Sequence, residues 1–333
     1  MSSGFEKINY TLRPNKSVER KMMCEALGRL SFIQHLNKYR YIGFGSPYFT
    51  DFILFHRNLG IKKLVSIEKE ESKKARFDFN IPYSGIEMKY GQSTTVLPNL
   101  GLDKEKNIVW LDYDDKISDF MFSDIDTFFF NSMPGSFFII SINVEQDFPN
   151  WDALRTEGGG TTKDFRLKNL TGRVGKSRIP AEFMQLNMTT KNLIKVTYEM
   201  IRRQIATSLI NRNGANKGEV EFKQLFNFVY KDNATILTVG GLLFDSQLKP
   251  AIAQMAFNEL PFVQSGEQQY RIKSPNLTYR EAKALDKVMP NSAIVEKGEF
   301  VNEKLQSLPL IQSDIENYAK IYRYYPTFTE ANL

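Results

Sequence analysis

The residues best placed to do chemistry follow five short apolar runs in the first half of the chain. Each run has the length of a β-strand and ends in glycines or polar side chains: Gly43-Phe44-Gly45-Ser46, Glu68, Gln92-Ser93, Asp112-Tyr113-Asp114 and Asn143. A glycine turn between a strand and a helix lets backbone N–H groups approach an anionic group. A carboxylate that ends the next strand, as Glu68 does, can accept hydrogen bonds from ribose hydroxyls. The two features together predict a nucleotide-binding site.

Asp112 and Asp114 are the candidate catalytic residues. Either carboxylate could remove a proton from an oxygen nucleophile. With Asn143 they could also supply oxygen ligands to Mg²⁺, although the acids after this run equally suit helix capping. The two histidines, His35 and His56, exclude a histidine-rich metal site. We assign no metal, and a Mg²⁺ site stays the minor alternative.

These residues need a parallel sheet to bring them together. Strand-like runs at 41–42, 63–67, 86–90, 108–111 and 137–142 alternate with helical patterns at 17–39, from Ser46 and Pro47 onward, at 70–80 and at 117–128. Short apolar strands that alternate with helices indicate a mainly parallel sheet covered on both faces. Ligands bind such sheets beyond the carboxyl ends of the strands, which is where the polar residues lie.

The pattern changes after residue 150. Residues 155–178 are rich in glycine and basic side chains and predict a mobile loop or lid; its cations are Lys163, Arg166, Lys168, Arg173, Lys176 and Arg178. They could contact phosphate or only be solvated. A helix at 181–211 and a strand pair at 226–230 and 236–239 follow. Beyond 250 the pattern is mostly helical, with a capping box at Thr278 and Glu281.

The runs Tyr41–Ser46, Val65–Glu70, Gly91–Ser93 and Trp110–Asp114 resemble class I methyltransferases that use S-adenosylmethionine (SAM), and more narrowly a family of O-methyltransferases. The resemblance implies a Rossmann-like sheet, mainly parallel with the last strand antiparallel, over 1–245. It implies a basic loop insertion at 150–180 and a helical C-terminal extension at 246–333.

The resemblance also implies residue roles. Gly43, Phe44, Gly45 and Ser46 would face the methionine part of SAM, and Glu68 would hold the ribose. Lys69, Gln92 and Ser93 would border the adenine. Asp112, Tyr113 and Asp114 would lie between SAM and the methyl acceptor, with Tyr113 on the cofactor side. The expected reaction is methyl transfer to oxygen, on an acceptor that the sequence does not reveal.

Two positions depart from the family pattern. Tyr41 stands where an acid usually precedes the first glycine, and Pro47 or Tyr48 replaces the third glycine. These departures motivate an alternative hypothesis, a catalytically degenerate subunit that acts as scaffold or sensor in a larger, nucleic-acid-linked or defence assembly. A nucleic-acid methyltransferase and an NAD-dependent dehydrogenase are weaker alternatives, because Asp112-Tyr113-Asp114 lacks the signature of base amino methylation and the turn lacks the dehydrogenase glycine.

Composition limits the class of protein. The 333 residues carry a net charge of +6, a mild excess that solubility alone explains, although an anionic partner is also compatible. Nucleic acid could contact 163–178, and a protein partner or second copy could contact 246–333. The single cysteine, Cys24, excludes an internal disulfide. No apolar run approaches the roughly 18 residues that span a membrane. We therefore expect a cytoplasmic protein.

Overall fold

One eight-stranded sheet organises the fold, and its strand order is β3-β2-β1-β4-β5-β7-β6-β8 when the strands are numbered along the chain. The computed structural model describes residues 13–149, 161–215, 217–290, 295–296, 299–300, 305 and 308–326. The strands of the sheet are β1 Arg40–Gly43, β2 Lys63–Glu68, β3 Ile86–Tyr90, β4 Asn107–Lys116, β5 Phe137–Asn143, β6 Glu221–Lys231, β7 Thr235–Phe244 and β8 Tyr270–Ile272. A separate hairpin consists of β9 Val295–Glu296 and β10 Glu299–Phe300.

The strands β1 to β5 are parallel, as the alternating pattern predicted. β7 lies antiparallel to both β5 and β6, and β8 adds to the edge parallel to β6. The mainly parallel Rossmann-like sheet with an antiparallel late strand is therefore confirmed. The carboxyl ends of β1 to β5 share one edge, which collects the polar residues that follow them.

Helices cover both faces of the sheet. They are α1 Pro14–Gly28, α2 Thr50–Leu59, α3 Lys74–Phe79, α4 Ser93–Val96, α5 Asp119–Asn131, α6 Thr162–Val174, α7 Thr190–Gly214, α8 Lys249–Gln254, α9 Tyr279–Asp286 and α10 Gln312–Ile321. β4 shows how the layers form: Trp110 packs into the apolar core with α1 and α2, whereas Val109 and Leu111 pack into the core with α5 and α7. Alternate side chains of a strand point to opposite faces, so one strand contributes to both cores.

The N-terminal helix differs from its predicted span of 17–39. It begins at Pro14 and ends at Gly28, and short 3₁₀ turns follow it. Ser17 therefore lies inside the helix and caps nothing, because the helix starts one turn earlier. The predicted apolar face is correct, since Val18 and Met22 are fully buried. What the pattern did not predict is that Lys16 and Glu19 are fully buried beside them.

The predicted helix start at Ser46 is also wrong. Ser46 has a φ of +49° and Phe49 a φ of +46°, both in the left-handed region, and α2 begins only at Thr50. The backbone N–H of Ser46 donates to a side chain of β2, which holds this residue in a turn. The prediction failed because the contact joins residues 22 positions apart and leaves no local signal.

The basic segment is a helix and not the predicted loop over 161–178. Thr161 and Asp164 form a capping box at the start of α6, and a 3₁₀ turn follows at Lys176–Arg178. Residues 150–160 lie outside the described residues. Three arginines of the segment are engaged within the fold. Arg166 donates to the backbone carbonyl of Asp147, Arg173 pairs with the Asp147 carboxylate at 3.1 Å, and Arg178 pairs with Asp119 at 2.8 Å.

The last two long elements confirm the predicted order with different limits. α7 begins at Thr190 instead of 181, and a 3₁₀ turn occupies Ala181–Phe183. β6 is longer than predicted. β7 continues through its two glycines, Gly240 and Gly241, which lie opposite a register shift of β6 between Gln224 and Phe226. A side-chain carbon on Gly241 would lie 2.1 Å from the Lys223 carbonyl oxygen, so only glycine fits against β6 there.

The segment 246–333 was predicted to be a mostly helical extension. Its helices α8, α9 and α10 agree with this, and the capping box of Thr278 and Glu281 starts α9 as predicted. Its strand β8 was not predicted and joins the main sheet. The boundary at 245 stays a prediction. None of the helices in the described residues combines the length and apolar character needed to cross a membrane.

Candidate functional site

The turn after β1 meets the end of β2 at the carboxyl edge of the sheet. The Ser46 N–H donates to Glu68 Oε1 over 2.8 Å, and the Gly45 N–H donates to Ser66 Oγ over 3.0 Å. The sequence predicted that these two segments would form one site, and the structure brings them into direct contact. The glycine turn after β1 and the carboxylate of Glu68 thus lie side by side at the carboxyl edge of the sheet.

The glycines of this turn are required by packing. A Cβ on Gly45 would lie 2.7 Å from the Phe49 ring and 2.7 Å from Ser66 Oγ. A Cβ on Gly43 would lie 2.5 Å from the Tyr41 hydroxyl oxygen. Neither position can accept a side chain without displacement of the turn. The turn is therefore held close to the sheet.

Glu68 is 9% exposed. Burial raises its pKa to about 7, although the hydrogen bond from the Ser46 backbone works in the opposite direction. Near neutral pH this carboxyl group therefore exists in both protonation states. A ligand that donates hydrogen bonds to it would favour the ionised state.

Tyr41 occupies the position at which the resemblance leads one to expect an acid. It is fully buried, and its hydroxyl donates to the carboxylate of Asp51 at the start of α2. Burial raises the pKa of Asp51, partly opposed by the positive charge of Arg20. A buried carboxyl group is thus present behind the glycine turn. It belongs to Asp51 and accepts a hydrogen bond from the Tyr41 hydroxyl.

Asp112, at the end of the regular part of β4, is ion-paired. Nζ of Lys16 lies 2.7 Å from its Oδ1 and 2.9 Å from Oε2 of Glu19. Burial would raise the pKa of Asp112, but the charges of Lys16, Arg20 and Arg13 outweigh it and lower the pKa. Asp112 is therefore a carboxylate at neutral pH, with 24% of its side chain exposed at the edge.

A buried hydrogen-bond chain continues from this ion pair across the sheet. The Thr238 hydroxyl donates to Glu19, the hydroxyls of Ser141 and Thr238 lie 2.8 Å apart, and Trp110 Nε1 donates to Ser141 over 2.9 Å. Burial raises the pKa of Glu19, and the charge of Lys16 opposes this. Such a chain fixes the position of Lys16 under the sheet, because each member is held by another.

Ser93 and Tyr113 meet on the opposite face of the sheet. Both hydroxyls donate to Asp124 Oδ2, from Ser93 over 2.6 Å and from Tyr113 over 2.5 Å. Asp124 is fully buried, and burial raises its pKa. Its second oxygen, Oδ1, has no hydrogen-bond partner within the described part of the chain. A buried acceptor without a donor is costly, which makes it a candidate ligand contact.

The other predicted site residues lie around this edge with more exposure. Phe44 is half-buried and packs edge-to-face on Tyr113 with ring centroids 5.2 Å apart. Lys69 is exposed and pairs with Asp115 at 3.2 Å. Gln92 and Asp114 are exposed. In the described residues no three histidine, cysteine, aspartate or glutamate side chains are grouped so that they could hold a metal ion.

Several residues of the site were missed from the sequence. Lys16, Glu19 and Arg20 come from α1, Asp51 from α2 and Asp124 from α5. All five are charged residues within helices, and that pattern is typical of solvated faces. The single available signal was Glu19 next to Val18 on the apolar face of α1.

The sheet order, the reversed β7 and the contact between the glycine turn and Glu68 define a Rossmann-like sheet of the class I methyltransferase type. The chain belongs to the family described as "Putative O-methyltransferase", whose model matches residues 8–333. This confirms the resemblance on which the site residues were assigned. None of the curated proteins compared with the chain matches it significantly.

Three solved structures are among those to which the chain is similar. Trm1 from Pyrococcus horikoshii, in complex with SAM, is 8% identical, with 74% of this chain and 58% of that chain covered and a TM-score of 0.42. The O-methyltransferase TomG from Streptomyces achromogenes is 13% identical over 67% and 79% of the two chains, with a TM-score of 0.35.

The third is LepI, solved in complex with S-adenosylhomocysteine (SAH) and a substrate analogue. It is 10% identical, with 62% of this chain covered and a TM-score of 0.34. This chain spans 43% of the length of LepI and 58% of that of Trm1.

Proposed function

We propose that this protein transfers a methyl group from SAM to an oxygen atom of an acceptor. Membership of the family supports the reaction class. The observation that carries the proposal is the hydrogen bond of 2.8 Å between Ser46 N and Glu68 Oε1. It sets the carboxylate that ends β2 directly against the glycine turn that ends β1, at the edge where nucleoside ligands bind such sheets.

The proposed cofactor contacts follow the edge of the sheet. Gly43, Phe44, Gly45 and Ser46 face the methionine part, and Glu68 binds the ribose hydroxyls. Lys69, Gln92 and Ser93 border the adenine, and Tyr113 lies on the cofactor side between SAM and the acceptor. The unpaired Oδ1 of Asp124 supports an adenine site, because it lies in the cluster of Ser93 and Tyr113 and could accept a hydrogen bond from an exocyclic amine.

When bound, SAM would supply its methyl group to the acceptor oxygen, and the methyl–sulfur bond would break as the new bond to oxygen forms. The protein's task is to align the acceptor oxygen and to receive its proton. We assign these tasks to Asp112 and Asp114. The lowered pKa of Asp112 makes it a weak base, so its carboxylate suits orientation and attraction of positive charge. Asp114, exposed two residues further on, suits proton removal.

Calorimetric titration with SAM and SAH tests the proposal. We expect saturable binding that Glu68→Ala abolishes. The matched control is Glu71→Ala, an exposed carboxylate three residues further along the chain, which should leave binding unchanged. Absence of heat and saturation with both ligands, in a folded wild-type protein, would refute it.

The partners of the protein and its location in the cell are further proposals. A nucleic-acid acceptor through 163–178 draws on the exposed Lys168 and Lys176, since Arg166 and Arg173 are engaged within the fold. Salt-dependent binding of RNA or DNA that Lys168→Glu reduces would support it, and none would remove it. A protein partner or second copy through 246–333, and a cytoplasmic location consistent with the free, buried Cys24, are further proposals.

The scaffold alternative gains nothing from the family match. Its main motive, the replacement of an acid by Tyr41, loses force because the Tyr41 hydroxyl is bonded to the buried Asp51.

A further inference from the structure

Two buried donors near Asp112 have no hydrogen-bond partner in the described residues. They are Nε of Arg20 and the hydroxyl of Tyr230. Arg20 is 5% exposed and Tyr230 is 3% exposed. A buried polar group that gives up water without a replacement is costly, and native structures contain few of them. Two such groups in one place indicate a missing acceptor.

Both donors adjoin the ion pair of Lys16 and Asp112. Arg20 follows Lys16 by four residues on α1, which sets the two side chains on the same side of the helix. The Lys16 Nζ lies 5.7 Å from the centre of the Tyr230 ring and 2.7 Å from Asp112 Oδ1. The positive charge of Arg20 also acts on both Asp112 and Tyr230. The cluster thus spans from β4 to β6 beneath α1.

The charges of this cluster favour an anion. Lys16 and Arg20 are cations, and Asp112 is the carboxylate whose pKa is lowered. Burial raises the pKa of Glu19 and of Asp51, which shifts both toward the neutral acid. Arg13 adds positive charge near Asp112, and Asp232 adds negative charge near Tyr230. An acceptor with a negative charge would therefore be stabilised where it meets the cations and the unpaired donors.

We propose that Arg20 and Tyr230, beside Lys16, form a binding site for a carboxylate group. A guanidinium donates two parallel hydrogen bonds to a carboxylate, and a tyrosine hydroxyl can add a third. Asp112, which adjoins the cluster, is 24% exposed at the sheet edge, and the ligand would enter on that side. The carboxylate belongs either to the methionine part of SAM or to the methyl acceptor, and in both cases it lies next to the proposed reaction centre, so the inference rests on the proposed function.

The experiment compares SAM with decarboxylated SAM, and benzoate with benzyl alcohol in the presence of SAH. Binding is measured by calorimetry on the full chain for the wild type, Arg20→Met, Arg20→Lys and Tyr230→Phe. If the site takes the methionine carboxylate, the wild type prefers SAM over decarboxylated SAM by about 10- to 100-fold, and Arg20→Met removes the preference. If it takes an acceptor carboxylate, benzoate but not benzyl alcohol binds, and Arg20→Met abolishes that binding.

Tyr230→Phe gives a second measurement that does not depend on Arg20. Removal of an unpaired buried hydroxyl should raise the midpoint of thermal unfolding without ligand while it weakens carboxylate binding. The matched control is Tyr39→Phe: this buried hydroxyl donates to the Gly135 carbonyl oxygen over 3.1 Å, so its loss should lower the midpoint and leave affinity unchanged.

Three results separate the two proposals. Binding of neither SAM nor SAH to the wild type refutes the proposed function, and benzoate without SAH then tests the carboxylate site alone. Equal affinity for SAM and decarboxylated SAM, together with no benzoate binding, overturns the carboxylate site. So does a preference for the carboxylate form that survives in both Arg20→Met and Tyr230→Phe.

Discussion

Nζ of Lys16 lies 2.7 Å from Oδ1 of Asp112, and this contact joins the first helix to the end of the fourth strand. Lys16 is fully buried, and a lysine in such a position normally needs a charged partner. It has two carboxylate partners and lies 4.3 Å from the centre of the Trp110 ring. The N-terminal helix is therefore part of the site and not only a cover over the sheet.

Lys16→Met should destabilise the protein by about 3 kcal/mol, because loss of one member of a buried pair leaves the other charge uncompensated. The pKa of Asp112 should rise, since the charge of Lys16 is the leading influence that lowers it. Denaturant unfolding measures the first effect and a carboxyl NMR titration the second. The double variant Lys16→Met/Asp112→Asn should lose less than the sum of the single variants. Strict additivity would show that the pair is not coupled.

The affinity for SAM should depend on the protonation of Glu68. Its pKa is raised to about 7 in the free protein, and ribose hydroxyls would donate to the ionised form. Below pH 7 binding must therefore expel a proton, so affinity should fall by about tenfold per pH unit as pH decreases and level off above pH 7. Calorimetry between about pH 5.5 and about pH 8.5, a range that brackets the pKa of Glu68, measures the affinity for SAM at each pH. In Glu68→Gln the dependence should vanish; an unchanged pH profile would assign it to another group.

Gly45→Ala should destabilise the protein by about 1–3 kcal/mol and weaken SAM binding, because the new Cβ would lie 2.7 Å from Phe49 and from Ser66 Oγ. Gly172→Ala is the matched control. It lies in α6 with no atom within 4 Å of a new Cβ, so it should stabilise the protein by about 0.5–1 kcal/mol. Thermal unfolding and SAM titration compare the two. Equal stability of both variants would contradict the tight turn.

Glu25→Ala should loosen the C-terminal segment from α1. Glu25 accepts hydrogen bonds from the Tyr324 hydroxyl and from Arg323, the latter over 3.1 Å, and nearby Lys21 donates to the Tyr324 carbonyl oxygen. We expect a loss of about 1–3 kcal/mol, since these donors lose a charged acceptor. Calorimetry and circular dichroism measure the unfolding of the variant and of the wild type, and the wild type should unfold in a single transition. A separate early transition of the C-terminal segment in the wild type would show that this segment folds independently of α1.

The parallel sheet and most of its binding edge could be predicted from the sequence. Apolar runs such as Leu64–Ile67 fix a strand locally, and the rule that ligands bind beyond parallel strand ends places the next residue at the site. Glu68 and Ser46 were placed in one site in this way, and they are in contact. The helix limits were less well predicted: α2 starts late because Glu68 holds Ser46 in a turn.

The class of fold follows from the amino-acid sequence, because strand length, alternation and strand-end polarity are all local signals. The surroundings of Asp112, by contrast, depend on contacts between distant parts of the chain. Lys16 and Asp112 are 96 residues apart, and Thr238 and Glu19 are 219 apart. A charged residue in a helix is normally solvated, and its burial destabilises the fold unless partner residues neutralise it. That condition is met here because α1 packs across the sheet. Helical periodicity alone does not predict which distant residues α1 will contact.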